Sequence, residues 1–212
     1  MNKKFDLKYL DKKYRMLAGV DEAGRGPLAG PVVAAAVIFS PETFIENVDD
    51  SKKLSEKERE ELFPIIIKKS LAFAVSAVSN IQIDRINILQ AALLAMKNSV
   101  NKLKVKPDLI LIDGNKAFVH EIPTITVVKG DTKSFSIAAA SIIAKVTRDR
   151  IMKRLCEKYP EYRWSKNKGY PTSEHINAIK IYGPTILHRK TFLSNILAEN
   201  FEFEFREKKE AG

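Results

Sequence analysis

The sequence of 212 residues has few of the side chains that bind soft metals or form disulfides. It contains one cysteine, Cys156, and three histidines, His120, His175 and His188. One cysteine excludes an intrachain disulfide and any cysteine-rich zinc or iron–sulfur site, and no two histidines have the HExxH spacing of a zinc protease. A metal site in this chain would therefore be built from carboxylates, which favour Mg²⁺ or Mn²⁺.

Long apolar runs are also missing. The longest uninterrupted run, residues 31–39, is far too short to cross a bilayer. The lysine-rich start contains Asp6 and Asp11, and the apolar segment of a signal peptide does not follow it. With no disulfide framework either, the sequence predicts a cytoplasmic protein that does not enter a membrane.

Positive charge is what the chain has in excess. Lysine and arginine number 36 against 26 acidic residues, which gives a formal net charge of +10. Hydrophobic residues make up 45% of the chain, too many for a disordered protein and enough for one sizeable core. The basic surplus indicates a polyanionic partner, with nucleic acid as the first candidate, although a basic balance also serves solubility.

Apolar runs and helical spacing predict an α/β protein with a mixed central sheet flanked by helices. Strands are predicted at residues 16–20, 31–39, 71–78, 109–113 and 125–128, and helices at residues 84–104, 133–158 and 173–182. Ser55 and Glu58 have the spacing of a capping box that opens a further, charged segment. We expect one domain over residues 14–192, with a small helical C-terminal portion from about residue 149 and a tail at 193–212.

Carboxylates stand where two predicted strands end. Asp21 and Glu22 directly follow the first strand, and Asp113 ends the strand at 109–113. Each has an ordinary alternative, because strand ends are commonly polar and Asp113 followed by Gly114 forms a common turn. These residues are candidate metal ligands on position alone.

Asp149 is a sharper candidate. On a helical projection it falls within about 20° of Ile142, in the middle of an apolar stripe. A carboxylate there is costly unless it is paired or binds a metal ion. The flanking Arg148 and Arg150 leave a buried ion pair as the alternative.

Two glycines flank an arginine soon after the first strand, at Gly24, Arg25 and Gly26. Glycines let a backbone approach a ligand closely, and the guanidinium suits phosphate. A tight connection between strands would use the same residues, and the third glycine of the dinucleotide fingerprint is missing. The segment is a candidate phosphate-binding loop with a structural alternative.

Four carboxylates brought together would repel one another unless cations were present. Two divalent ions about 4 Å apart would relieve that repulsion and serve phosphodiester hydrolysis. A basic protein with an acidic centre is the expected layout of a nuclease.

The motifs closely resemble those of the ribonuclease HII family, the type 2 ribonucleases H. The resemblance covers residues from about 17 to 192 and is carried by GVDEAGRGPLAGPVVAAAV at 19–37, DSKKLS at 50–55, LIDGN at 111–115, KGD at 129–131, AAASIIAKVTRDR at 138–150, KGYPT at 168–172 and HRKTF at 188–192. It implies a ribonuclease H-like fold with an attached helical C-terminal portion.

The resemblance also implies the site and the activity. Asp21, Glu22, Asp113 and Asp149 would be the catalytic, metal-binding residues, and the nucleic-acid contacts would come from Gly24, Arg25, Gly26, Lys52 and Tyr170. The implied enzyme hydrolyses the RNA strand of RNA–DNA hybrids and cuts 5′ of ribonucleotides embedded in DNA, with two Mn²⁺ or Mg²⁺ ions, leaving 3′-hydroxyl and 5′-phosphate ends. We expect it to act as a monomer.

Two other functions stay open at this point. The chain could be a ribonuclease HIII-type nuclease, against which Arg25 and the lack of a substantial N-terminal domain before Asp21 argue. It could also be a non-catalytic hybrid-binding protein, against which the intact set of carboxylates argues.

Three further residues receive structural interpretations. Asp131 is predicted to be the N-cap of the long helix rather than a catalytic residue. His175 and His188 are interpreted as structural or phosphate-facing, not as general acids. In the tail, the alternating pattern of residues 201–205 fits an edge strand, a partner-docking tail or a loosely packed end, and the sequence does not decide among them.

Overall fold

Five apolar segments pair into one mixed sheet. The computed structural model describes residues 4–10, 13–194 and 196. The strands are β1 Leu17–Ala23, β2 Val32–Ile38, β3 Ala72–Val78, β4 Leu109–Asp113 and β5 Thr124–Val127. Their order in the sheet is β3-β2-β1-β4-β5. β2 runs antiparallel to β1 and β3, whereas β4 runs parallel to both β1 and β5.

Helices cover both faces of this sheet, as the predicted class requires. They are α1 Lys4–Leu7, α2 Glu56–Lys69, α3 Asn80–Asn101, α4 Phe135–Lys158, α5 Trp164–Asn167 and α6 Ser173–Tyr182. α3 packs on one face of β1, β2 and β3, while α4 packs on the other face with α2 beside it. None of the described helices is both long and apolar enough to span a membrane.

Local capping explains where the helices begin. The predicted capping box is confirmed, because the Ser55 hydroxyl accepts from the Glu58 amide at 3.2 Å and the Glu58 carboxylate accepts from the Ser55 amide at 2.7 Å. α3 begins at Asn80, earlier than predicted, because Ser79 caps it. Asn87 then interrupts α3 with φ 63°, and its side chain accepts from the Gln90 amide at 3.1 Å.

Two predicted boundaries were wrong in ways that matter for the site. β1 continues three residues past its predicted end, because Ala23 still pairs with Val33 in β2. Asp21 and Glu22 therefore lie within the strand and not after it. The long helix is capped by Ser134, whose hydroxyl accepts from the Ile137 amide at 3.2 Å, so the N-cap predicted at Asp131 was also wrong.

The chain beyond the middle of α4 gathers around its own apolar cluster. Leu28 and Ala29 join it from the β1–β2 connection, and the other buried members are Met152, Tyr162, Trp164, Ala178, Ile179 and Leu193. Cys156 packs against this cluster. α4 passes through residue 149 without a break, and the division there stays a prediction. Most of the predicted tail, including residues 201–205, lies outside the described residues.

Gly19 determines how closely α4 approaches the sheet. A Cβ atom at Gly19 would lie 2.2 Å from the carbonyl carbon of Ser136, so only glycine fits there. The same turn of α4 is held from the other side by Asp6, whose buried carboxylate accepts from the Ser136 amide at 2.8 Å. This close contact places the first turns of α4 beside the strand that carries Asp21.

We expect Gly19→Ala to lower the free energy of unfolding by about 2–4 kcal/mol, because the new methyl meets backbone that cannot rotate away. Gly26→Ala is the matched control, since its methyl would meet nothing closer than Tyr170 Cε1 at 3.6 Å. Its cost should stay within about 0.5 kcal/mol. Urea denaturation of both variants measures the difference, and equal costs would contradict the role given to Gly19.

Candidate active site

Parallel pairing brings the acidic strand ends together. Val20 of β1 pairs with Ile112 of β4, so the next residues, Asp21 and Asp113, stand side by side at the same edge of the sheet. β5 is parallel to β4 and ends at the same edge. The 3₁₀ turn Gly130–Thr132 follows it and supplies Asp131.

Asp21, Asp113 and Asp131 form a three-carboxylate cluster. Each offers one carboxylate oxygen, and these oxygens all lie within 4.8 Å of one another. The Gly130 amide donates to Asp113 at 2.6 Å, which ties the turn of Asp131 to the end of β4. Asp21 and Asp131 are buried, and Asp113 is half-buried.

Burial and mutual repulsion dominate the electrostatics of this cluster. Burial raises the pKa of Asp21 well above its usual range, and the charges of Glu22 and Asp113 raise it further. Burial and the charge of Asp131 likewise raise the pKa of Asp113. The cluster needs a cation to hold all its negative charge, and hard carboxylate oxygens are the ligands that Mg²⁺ and Mn²⁺ prefer. The donor set therefore fits a divalent metal ion.

One lysine partly neutralises the negative charge of this cluster. Lys52 donates from Nζ to the Asp131 carboxylate at 2.9 Å, although most of the lysine side chain is exposed. Burial opposes the charged form of Lys52, but the hydrogen bond to Asp131 and the negative charges of Asp131, Asp50 and Asp21 together outweigh it and raise the pKa of the lysine. Lys52 is thus a positively charged group at the rim of the acidic cluster.

Two members of the cluster, Asp21 and Asp113, line a cleft of about 400 Å³. Every predicted site residue except Asp149 lines this cleft, namely Asp21, Glu22, Gly24, Arg25, Gly26, Lys52, Asp113 and Tyr170. Glu22 lies at its side, where its carboxylate accepts from Arg25 at 3.3 Å. The predicted loop and the predicted carboxylates thus face one space.

Asp149 occupies a different place from the one predicted. It is buried on α4, as the apolar stripe indicated, but its carboxylate accepts from Lys145 at 2.7 Å and lies 3.9 Å from an Arg59 nitrogen. Arg148 and Arg150, which were weighed as its partners, donate elsewhere. Asp149 therefore contacts Lys145, which lines the cleft, and is not part of the three-carboxylate cluster.

Asp131 is the site residue that sequence reasoning missed. It was interpreted as a helix cap because it precedes a long helix, yet its carboxylate faces Asp21 and Asp113. A usable signal was present, since Asp131 follows the last predicted strand as Asp113 follows the strand before. Parallel neighbours end at the same edge of a sheet, which would have placed the two carboxylates together.

The loop of Gly24, Arg25 and Gly26 lines the same cleft as Asp21 and Asp113. Gly24 has φ +97°, and a Cβ there would lie 2.0 Å from Nε of the buried Arg148. Gly26 leaves room for the Tyr170 ring, whose Cε1 would be 3.6 Å from an added Cβ. The Tyr170 ring is partly exposed and lies about 6 Å from two cationic groups, at 5.8 Å from Lys145 Nζ and 5.9 Å from Arg148 Cζ.

The two C-terminal histidines are buried away from the cleft lining. Nε2 of His175 lies 3.2 Å from Nε2 of His188, and Trp164 donates to the same His175 nitrogen at 2.9 Å. Burial, and beyond it the neighbouring His175, lowers the pKa of His188 to about 4, and burial also lowers the pKa of His175. Both rings are neutral at pH 7, which agrees with the structural interpretation.

We expect Asp21→Asn to stabilise the metal-free protein at pH 7. The pKa of Asp21 is raised in the folded state, so the folded protein binds this proton more tightly than the unfolded chain does. The protonated carboxyl therefore contributes its full stabilisation below about pH 4, and this contribution is lost as the pH rises through the folded pKa. The amide removes that loss, so Tm in EDTA should rise by about 2–4 °C or more at pH 7 and by less at pH 4.

Calorimetry of both proteins at the two pH values, repeated with Mn²⁺, tests this expectation. The ion should raise the Tm of the wild type more than that of the variant, because it relieves a repulsion among carboxylates that is already reduced in Asp21→Asn. A variant that melts below the wild type at pH 7 in EDTA would contradict the electrostatic account.

The sequence is similar to a family of known proteins. A family model described as Ribonuclease HII matches residues 18–194. The chain is 53% identical over 188 residues to the ribonuclease HII of Caldicellulosiruptor saccharolyticus, an alignment that covers 89% of this chain and 92% of that protein.

Solved structures of ribonucleases H have a similar fold. Ribonuclease H2 from Pyrococcus horikoshii OT3 superposes with a TM-score of 0.71 at 32% identity, covering 85% of this chain and 96% of that one. Bst-RNase HIII, solved in complex with Mn²⁺, has a TM-score of 0.67 at 20% identity, covers 88% of this chain and 71% of that one, and supports the fold alone. The resemblance that the motifs carry is confirmed, and the chain belongs to the ribonuclease HII family.

Proposed function

We propose that this protein is an endoribonuclease that hydrolyses the RNA strand of RNA–DNA hybrids and cuts on the 5′ side of ribonucleotides embedded in DNA duplexes. The observation that carries the proposal is one cleft that is lined both by Asp21 and Asp113 of the three-carboxylate cluster and by the loop of Gly24, Arg25 and Gly26. The names of the family and of its relatives support the same reaction class. The cleft joins a hydrolytic centre to a surface suited to a nucleic-acid backbone.

The residues that would hold the metal are Asp21, Asp113 and Asp131, with Glu22 beside them. We propose Mn²⁺ or Mg²⁺, and two ions when the nucleic acid is bound. A bound divalent ion would polarise the phosphate, make water a better nucleophile and offset the charge on the leaving oxygen. This set replaces the predicted one, because Asp131 lies in the cluster and Asp149 does not.

Asp149 then has a supporting role in this proposal. Its carboxylate contacts Lys145, which lines the cleft, and Arg59, whose Nη1 donates to the Ser51 carbonyl at 2.8 Å. Ser51 precedes Lys52, so this chain of contacts steadies the rim of the cleft. Asp149 would thus support Lys145 in the cleft and, through Arg59, the rim at Ser51 and Lys52, and would not bind the metal.

The basic residues of the cleft would hold the phosphates. Arg25 is exposed enough to turn toward the cleft, and its present partner, Glu22, is a neighbour on the same chain segment. Lys52 would bind a phosphate close to the scissile bond, because its ammonium group already lies at the edge of the cluster. The net charge of +10 would attract the duplex to the protein, and Arg25 and Lys52 would hold it at the cleft.

Recognition of RNA at one position needs contact with the 2′-hydroxyl. The loop of Gly24, Arg25 and Gly26 offers backbone without bulky side chains at its two glycines, beside the carboxylates. The exposed part of the Tyr170 ring, next to Gly26, would stack under the following sugar. We propose that these groups together select a ribonucleotide followed by DNA, in a cytoplasmic enzyme that acts as a monomer.

We expect Asp113→Asn and Asp131→Asn to lower kcat at least about 100-fold, because each removes a charged ligand from the cluster. Asp149→Asn is the matched control, and it should keep kcat within about tenfold while lowering stability, since it removes the negative charge that Lys145 and Arg59 face. Cleavage of a DNA duplex that carries one ribonucleotide, with Mg²⁺, Mn²⁺ or EDTA, gives the rates.

Each outcome of that assay separates the functions. Cleavage 5′ of the ribonucleotide, with 3′-hydroxyl and 5′-phosphate ends and none in EDTA, is the expected result. Cutting long hybrids but never the single ribonucleotide would favour a ribonuclease HIII-type enzyme. Binding without cleavage in either metal would favour a hybrid-binding protein. A loss with Asp149→Asn as large as that with Asp131→Asn would contradict the revised ligand set.

A further inference from the structure

Arg189 is a fully buried arginine that donates to backbone carbonyls. Its Nη2 donates to the carbonyl oxygen of Gly24 at 2.6 Å, its Nη1 to that of Arg25 at 2.9 Å and its Nε to that of Gly30 at 3.1 Å. No carboxylate forms an ion pair with it among residues 4–10, 13–194 and 196. A buried charge held by carbonyls alone is costly, which suggests that the loop needs it.

The two consecutive carbonyls determine where two amides point. The Gly24 carbonyl and the Arg25 N–H belong to one planar trans peptide, and the Arg25 carbonyl and the Gly26 N–H belong to the next. In each peptide the N–H points away from the carbonyl. Because Arg189 holds both carbonyls on its buried side, both N–H groups point away from it.

The opposite side of that loop is the cleft. Arg25 and Gly26 both line it, and neither backbone amide donates a hydrogen bond within the described part of the chain. Two consecutive unpaired N–H groups form a small concavity that binds an anion or a hydroxyl oxygen. The fork of a guanidinium matches two successive carbonyls, whereas a lysine ammonium has no such fixed geometry.

Arg189 is itself held in place by contacts from three parts of the chain. Its backbone amide donates to the Leu28 carbonyl at 2.8 Å, and Asn80 donates to the carbonyl of the preceding His188 at 3.1 Å. The guanidinium also lies 5.2 Å from the centre of the Phe192 ring. The arginine is therefore ordered before any ligand arrives, and donors fixed in advance lose little entropy on binding.

We propose that Arg189 is a positioning residue that presents the Arg25 and Gly26 amides to the 2′-hydroxyl oxygen and the adjoining phosphate of the target ribonucleotide. The inference rests on the proposed function and names the residue on which its selectivity depends. A deoxyribonucleotide would leave one of these amides without a partner, and an unmade hydrogen bond in a closed site disfavours the wrong substrate.

The test compares Arg189→Met, which removes the donors, with Arg189→Lys, which keeps a charge and some donors. Leu193→Ala is the matched control, because Leu193 is buried in the same segment but does not contact the loop carbonyls. Fluorescence anisotropy in EDTA measures binding of a duplex with one ribonucleotide and of the same all-DNA duplex. kcat and KM follow with Mn²⁺, and circular dichroism monitors the fold.

Arg189→Met should reduce the preference for the ribonucleotide duplex by roughly tenfold for each amide that is no longer presented, with all-DNA binding changed less than about threefold. Arg189→Lys should recover part of that preference, and Leu193→Ala should keep it. An unchanged preference in a folded Arg189→Met would overturn the role of Arg189 and leave the proposed function standing. A wild type that neither prefers nor cuts the ribonucleotide duplex would overturn both.

A measurement on the wild type keeps the inference testable if Arg189→Met does not fold. In ¹⁵N-labelled protein, the amide signals of Arg25 and Gly26 should move downfield with the ribonucleotide duplex and much less with the all-DNA duplex. Equal shifts with both duplexes would overturn the inference.

Discussion

Repulsion among three carboxylates, two of them buried and one half-buried, governs the electrostatics of this structure. Parallel pairing of β1, β4 and β5 places Asp21, Asp113 and Asp131 at one edge of the sheet, with oxygens within 4.8 Å of one another. Burial then raises the pKa of Asp21 well above its usual range. The fold supports this unfavourable arrangement with unusually tight packing, most clearly at Gly19, where α4 presses against β1. A site that is unfavourable when empty and favourable with divalent cations is the arrangement that hydrolysis of a phosphodiester requires.

The loop of Gly24, Arg25 and Gly26 is held in place by buried cations. Arg148 and Arg189 are fully buried, and both donate to backbone carbonyls around the β1–β2 connection. They come from α4 and from the C-terminal portion, so the loop of Gly24, Arg25 and Gly26 is held jointly by the two parts of the chain. This explains why the C-terminal portion matters to the site although it supplies no residue to the carboxylate cluster.

Much of this arrangement could be predicted from the sequence, and the failures have physical reasons. Apolar runs located every strand to within a few residues, and the capping box located the start of α2. The helical projection correctly predicted that Asp149 is buried. A projection identifies the face of a helix but not the ion-pair partner of a residue on it, which for Asp149 is Lys145. Asp131 lies close after a predicted strand, but its contact with Asp113 also requires β5 to pair with β4, and local spacing does not show which strands pair. Arg189 shows no local signal, since its carbonyl partners lie far away along the chain.

We propose that Asp21, Asp113 and Asp131 hold the divalent ion and that Asp149 does not. Anomalous X-ray diffraction from crystals grown with Mn²⁺ tests it most directly, because it locates the ion without reference to activity. The account predicts an anomalous peak within direct coordination distance of carboxylate oxygens from all three residues, with Asp149 still paired with Lys145. A peak coordinated by Asp149, or one that Asp131 does not contact, would contradict the account.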